Sequence, residues 1–403
     1  MVSGGTTAGG EAGDGPLAGE RVIDLTRFVS GSYATALLAA LGAEVIKIEP
    51  PDGDPYRQQG SQRLGKESVL FLSLNSGKKS VVLDFKKPQG RAALDDLMAG
   101  AGFFVENARP GSLVPHGLDF AAVHDRHPHL VYGSISGYGE VGPDATRGGF
   151  DLVLQAAAGI MSVTGTEESG PVKVGAPVLD IGAALSCVIG LLAAHLEREQ
   201  TGRGRHVSAS LFEFAVASLS TVAADYLAAG VVPGLLGTHS PSFAPYGSFR
   251  TADGWVVLAG TGSEELWHRT CSVLGYAELA ADPRFLDNAS RVTHRDELTA
   301  RLEEALATAT SAEWLERFDT AGIPASEVRN LAQVLTSDQV AALGTVQALE
   351  HPTAGPYRIV GFPLRFDGAP LPVPGAAPVL GVDTDLVVQE LSRLPARART
   401  VAP

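Results

Sequence analysis

RVIDLTRFVSGSYATALLAALGAEVIKIEP, residues 21–50, is the stretch whose reading decides the fold. Arg21–Leu25 is short and apolar with β-branched residues, the composition of a strand. Ser32–Leu41, rich in Ala and Leu, predicts a helix, and Ala43–Glu49 predicts a second strand that stops at Pro50-Pro51. Strand, helix and strand within about 30 residues make a βαβ unit, which calls for a parallel sheet covered by helices. The turn Thr26–Gly31 lacks G-x-G-x-x-G, so the motif gives no support to a dinucleotide site.

The same alternation continues downstream. Val81–Lys86 reads as a strand, Gln89–Met98 as a helix and Phe103–Asn107 as a further strand leading into Ala108-Arg109-Pro110-Gly111. Leu130–Gly139 is a strand entering a glycine loop, and its serines are not spaced as G-x-S-x-G, which argues against a hydrolase nucleophile elbow. Gly148-Gly149-Phe150-Asp151 opens a helix-like Leu152–Ala158. In Val174–Glu213 a short apolar run ends at Asp180 and a long segment follows. There Leu185, Val188, Ile189, Leu192 and Leu196 recur at helical spacing, which predicts a helix buried over most of its girth. Asp180 stands where an N-cap would, its carboxylate facing the unpaired N–H groups of the first turn.

Beyond Glu213 an alanine-rich helix runs to Gly230, followed by a Gly/Pro/Ser loop, Pro233–Pro245. A hairpin from Tyr246 and helices at 264–274, 294–307 and 312–321 predict a smaller α+β domain. A return strand, Tyr357–Phe366, and a last helix to Leu394 are expected to rejoin the large domain, whose sheet would then be built from N- and C-terminal parts. The expected boundaries are a tail at 1–18, the large domain at 19–215, a linker at 216–240, the small domain at 241–330, a second linker at 331–355, the C-terminal part of the large domain at 356–395 and a tail at 396–403.

With 403 residues, 31 Lys+Arg against 45 Asp+Glu and a net charge of −14, the chain is long enough for a real core. It carries no long basic run, so neither nucleic acid nor an anionic membrane is an expected partner. Its two cysteines, Cys187 and Cys271, lie far apart and predict neither disulfides nor a zinc site. The N-terminus is Gly-rich and acidic without the order of a signal peptide, and the apolar stretches break before about 18 residues, so no membrane span and a cytoplasmic location are expected.

Taken together, these segments resemble the class III CoA-transferases, the CaiB/BaiF family that includes formyl-CoA and carnitine CoA-transferases. The resemblance is carried by Leu74-Asn-Ser-Gly-Lys-Lys-Ser-Val-Val-Leu-Asp-Phe-Lys86, by Val105-Glu-Asn-Ala-Arg-Pro-Gly111, by the glycine, aromatic, acid order at 148–151 and by Asp180 ahead of Thr201-Gly-Arg-Gly204. It runs from about Gly19 to Leu394. It implies a Rossmann-like large domain, an interlocked homodimer, and exchange of CoA between an acyl-CoA and a carboxylic acid. CoA would serve as substrate, with no metal or redox cofactor needed. Asp180 would be the nucleophile that carries the acyl group. CoA would be touched by Val29 and Ser30, by Leu83, Asp84, Phe85 and Lys86, by Asn107, Ala108 and Arg109, and by Gly148, Gly149, Phe150 and Asp151 near the thiol. Lys86 reads equally as a solvated lysine. Many relatives carry an arginine where this chain has Pro115, so one phosphate contact is lost or supplied from elsewhere. The α-methylacyl-CoA racemases share the fold and the aspartate but resemble one another in a histidine just before the acid of the glycine loop. Phe150 cannot move a proton, which favours transfer over racemisation. An acyl-CoA-binding subunit without activity is the remaining alternative.

Overall fold

The computed structural model describes residues 15–393, so both tails lie outside the described residues apart from 15–18, and the last helix is described as Thr384–Arg393. Six strands make one sheet: β1 (Arg21–Asp24), β2 (Glu44–Glu49), β3 (Lys79–Val82), β4 (Phe103–Glu106), β5 (Val131–Ser136) and β6 (His206–Ser210). Their spatial order is β6-β5-β4-β1-β2-β3. Every neighbouring pair is parallel, with Ile23 of β1 set between Ile46 of β2 and Phe104 of β4. The central strands β1, β4 and β5 are buried on both faces, which is why β1 and β4 read as largely apolar runs. The helices between them are α1 (Ser30–Ala40), α2 (Pro88–Ala99), α3 (Phe120–Arg126), α4 (Asp151–Ala157) and α5 (Val178–Thr201), with α6 (Leu211–Ser218) following β6. On one face Ile46, Ile48, Val81 and Phe104 pack with Leu94, Leu97 and Met98 of α2 and with Val387 and Leu391 of the last helix. The order of strands reverses between β1 and β4. At such a reversal the carboxyl ends of the two strands border a crevice.

Two expectations are corrected. Among the described residues the last strand of the sheet ends at Ser210, and the C-terminal part adds no strand to it. Val346–His351 pairs instead with Gly355–Val360 as an antiparallel hairpin, and Arg365–Phe366 pairs with Ala369–Pro370. The physical reason lies at the free edge of β3. The N–H of Ser80 donates to the Asp383 carboxylate at 2.8 Å, that of Val82 donates to the Thr384 hydroxyl at 3.0 Å, and the carbonyl of Ser80 accepts from the Asp383 N–H at 3.2 Å. A turn occupies the edge that a seventh strand would need.

The second correction concerns α5. Leu179, Ala183, Ala184, Cys187, Val188, Leu191 and Ala194 are buried, whereas Ile189 is 69% and Leu196 65% exposed. The helix is apolar all round, but it is covered on one side only. By length and apolarity it matches a membrane span, contrary to the expectation that no stretch would.

The chain divides into two compact units, one of residues 159–174 and 220–337 and the other of the remaining described residues, which hold the six-stranded sheet. The smaller unit has its own core of Phe249, Trp267, Phe285, Trp314 and Phe318 on a three-stranded antiparallel sheet formed by Tyr246–Arg250, Trp255–Ala259 and Ala325–Glu327. Arg291 is buried beneath it, donating to the carbonyls of Ala244 (2.8 Å) and Phe285 (3.1 Å) and pairing with Glu264.

Candidate active site

Asp180 is not the cap of α5. The helix begins at Val178 after Pro177, and Asp180 is its third residue. The cap comes from another element: Asp151, first residue of α4, accepts hydrogen bonds on one carboxylate oxygen from the N–H groups of Leu179 (2.8 Å) and Asp180 (3.3 Å). Its other oxygen accepts from Gln155. The donors at the start of α5 are thus met by a carboxylate from across the chain. The Asp180 carboxylate is left free to face the crevice.

Burial pushes the Asp180 carboxyl up to about 6, and the negative charge of Asp151 adds to the rise. The hydroxyl and the backbone N–H of Ser30 hold it down by hydrogen bonding to the charged form. Ser30 opens α1, so its N–H has no partner inside that helix and points outward as a ready donor. Ahead of it Phe28 sits at φ 59°, a left-handed conformation that a bulky side chain adopts only when its surroundings force it. The Phe28 ring meets Tyr56 edge to face at 5.4 Å and Phe150 at 5.9 Å. Tyr56, whose hydroxyl is pushed up by burial and then by the charges of Asp180 and Asp54, brings a phenol beside the carboxylate.

A cavity of about 430 Å³ opens over Asp180, lined by Val29, Ser30, Asn107, Ala108, Arg109, Gly148, Gly149 and Phe150. A second, of about 490 Å³, is lined by Phe85, Lys86 and His116 and shares Phe28 and Asn107–Arg109 with the first. Together they make a path from the carboxyl end of β3, across β4, to Asp180. The loops after β1 and β4 are tied by Asn107, which accepts from the Arg27 N–H (2.8 Å) and donates to the Arg27 carbonyl (2.6 Å). Close approach explains the glycines here. A Cβ on Gly31 would stand 2.3 Å from Thr26 Cβ, and one on Gly148 would stand 2.4 Å from the Arg109 guanidinium.

Eleven of the fourteen residues singled out in the sequence therefore border these two cavities. Leu83, Asp84 and Asp151 do not. Leu83 is buried in the core beside Ile48, and Asp84 accepts from the Lys86 N–H at 3.2 Å and pairs with Lys87. Sequence reading missed Phe28, Tyr56, Arg147 and His116. A cation next to the glycine pair was a usable signal for Arg147, and a ring two residues before the Ser30 donor was one for Phe28. Nothing in spacing places Tyr56. Among the described residues Glu20, His195 and Glu199 lie close enough to share a metal, but Arg198 already binds both carboxylates, at 2.6 and 3.0 Å.

The α/β fold thus sets an acidic side chain at its strand-order reversal, at the end of a long path formed by the two cavities. The chain belongs to CoA-transferase family III, whose model matches residues 17–384, and is a class III CoA-transferase that moves CoA between acids. It is 35% identical over 384 residues to human succinyl-CoA:glutarate CoA-transferase, covering 95% of this chain and 87% of that one. It is 36% identical to acetyl-CoA:oxalate CoA-transferase of Acetobacter aceti over 330 residues, 81% of this chain and 84% of that one. A CaiB/BaiF family crystal structure from Brucella suis superposes with a TM-score of 0.82 at 33% identity, covering 94% of this chain and 99% of that one.

Proposed function

We propose that Asp180 carries the acyl group during transfer. Its carboxylate attacks the thioester carbonyl, the carbon–sulfur bond breaks, and CoA leaves as the thiolate, giving a mixed anhydride. The thiolate then attacks the aspartyl carbonyl, which releases the donor acid and leaves an aspartyl-CoA thioester. The acceptor carboxylate attacks that thioester to form a second anhydride, and the thiolate takes the new acyl group and frees Asp180. The observation that carries this reading is a carboxyl raised to about 6 yet held by the two Ser30 donors. Such a group is mostly ionised at neutral pH and more basic than an ordinary aspartate. Val29, Phe85, Lys86 and Asn107–Arg109 are proposed to receive CoA, with His116 beside Pro115 supplying a contact that relatives take from arginine. N–H groups of Gly137 and Gly148 are proposed for the oxyanion.

The acids exchanged are proposed to be short dicarboxylates. Two relatives are named for succinyl-CoA with glutarate and for oxalate, and Arg109 and Arg147 line the Asp180 cavity, where a guanidinium suits a distal carboxylate. We further propose a cytoplasmic homodimer that covers the exposed Ile189 and Leu196. Substituting both residues with serine should then yield monomers by size-exclusion chromatography. The test of the chemistry is mass spectrometry after mixing with a panel of acyl-CoAs, with hydroxylamine trapping and peptide mapping. An adduct at Asp180 is expected, formed most readily from dicarboxylyl-CoAs. Exchange of the α-proton in deuterated water without an acceptor acid, and no adduct, would point to racemisation instead.

A further inference from the structure

Four charged side chains lie buried beneath the loop that holds Ser30. Asp24, Lys47, Asp54 and Lys78 are each at most 5% exposed. Lys47 donates to the Thr26 carbonyl at 2.8 Å and pairs with Asp54 at 2.9 Å, while Asp54 accepts from the Tyr56 N–H at 2.8 Å. Lys78 pairs with Asp24 at 2.9 Å and reaches the Ser32 carbonyl (3.0 Å), the Thr35 hydroxyl (2.8 Å) and the Asn75 side-chain oxygen (2.9 Å). Asp24 in turn accepts from the Thr26 N–H and from the Thr26 and Thr35 hydroxyls. The carbonyls on either side of Arg27–Gly31, those of Thr26 and Ser32, are thus each gripped by a different ammonium. This is the segment in which Phe28 takes its left-handed conformation.

Buried ion pairs are a poor way to stabilise a fold, because apolar residues of the same volume do as well or better. They are a good way to fix a geometry, since an ammonium satisfied on several sides permits one arrangement. We infer that Lys47 and Lys78 are positioning residues for acyl transfer, setting where the Ser30 donors and the Tyr56 ring meet the Asp180 carboxylate. The inference rests on Asp180 being the nucleophile. The groups facing Asp180 are Asp151 of α4 and Tyr56, with Arg109 and Arg147 in the wall of the same cavity. Neither lysine lines that cavity, and Lys78, unlike Lys47, has no ion pair with Asp54, whose charge acts on Tyr56, so replacing Lys78 reaches Asp180 by moving the donors.

The test uses the full chain and compares the rate of adduct formation at Asp180, across pH, for the unsubstituted protein, Ser30→Ala, Lys78→Met and the double variant. Lys78→Met should slow the adduct tenfold or more, move the acid limb upward from about 6 as the Ser30 hydrogen bonds weaken, and leave the donor KM within about threefold. The double variant should be no slower than the slower single, because both changes break the same contact. A folded Lys78→Met with unchanged rate and acid limb, or additive losses, overturns the inference while leaving Asp180 as nucleophile. If Lys78→Met does not fold, Thr35→Val removes the hydroxyl shared by Asp24 and Lys78 and should produce a smaller change in the same direction; no change overturns the inference. Absence of any adduct in the unsubstituted protein overturns both readings.

Discussion

The burial that raises the Asp180 carboxyl also costs the fold stability. Its folded carboxyl titrates near 6 against an ordinary value near 4, so between these pH values the folded chain binds the extra proton and the unfolded chain does not. Stability therefore falls as pH rises from about 4 to about 6, and the loss persists above. Asp180→Asn should abolish the adduct and transfer while raising stability at pH 7 by on the order of 1–3 kcal/mol, a gain that disappears at pH 4 in paired thermal melts. If Asp180 carries the acyl group as proposed, transfer by the unsubstituted enzyme should decline below about pH 6 as Asp180 protonates. Asp151→Asn removes the negative charge that helps raise Asp180, so the acid limb should shift to lower pH; Asp151→Ala should in addition cost about 1 kcal/mol through the lost cap. The neighbours of Asp180 suggested a helix cap, and its proposed role came from the family resemblance alone. The residue that does cap α5 was not legible. Asp151 reaches α5 across 28 residues, and no local pattern encodes which of two acids turns inward to the helix and which turns to the crevice.

Among the elements, α5 is shaped by what its glycines admit. A Cβ on Gly182 would stand 2.0 Å from the Phe214 ring of α6, and one on Gly190 would stand 2.4 Å from Val207 of β6. Gly190→Leu should force the helix off the sheet and cost about 1–3 kcal/mol, read as a lower denaturant midpoint with an unchanged slope. The alternation of strands and helices was legible because the first strands are dominated by apolar, β-branched residues and the helices between them are periodic. The exposed side of α5 was not, because Ile189 and Leu196 satisfy the same periodicity as the buried positions and differ only in having nothing packed over them. The missing seventh strand escaped for a related reason: Tyr357–Phe366 has the composition of a strand, and only the occupied edge of β3 denies it a place in the sheet.

At the scale of the molecule, all three tryptophans, Trp255, Trp267 and Trp314, belong to the smaller unit, so tryptophan fluorescence, excited selectively over tyrosine, reports on that unit. Arg291→Met leaves the carbonyls of Ala244 and Phe285 without their donor and Glu264 without its partner. It should lower the fluorescence midpoint in urea by the equivalent of about 3 kcal/mol. Completion of the sheet at Ser210 also bears on synthesis. The six described strands of the sheet, the crevice and Asp180 leave the ribosome before most of the smaller unit has been translated. The helix bearing Val387 and Leu391 follows roughly ten to forty seconds later at ordinary elongation rates. During that interval Val81 and Leu94 lack a cover that they acquire only at the end of translation. A nascent chain halted between β6 and Thr384 should present them as a binding surface for a chaperone, and release of the last helix should close it.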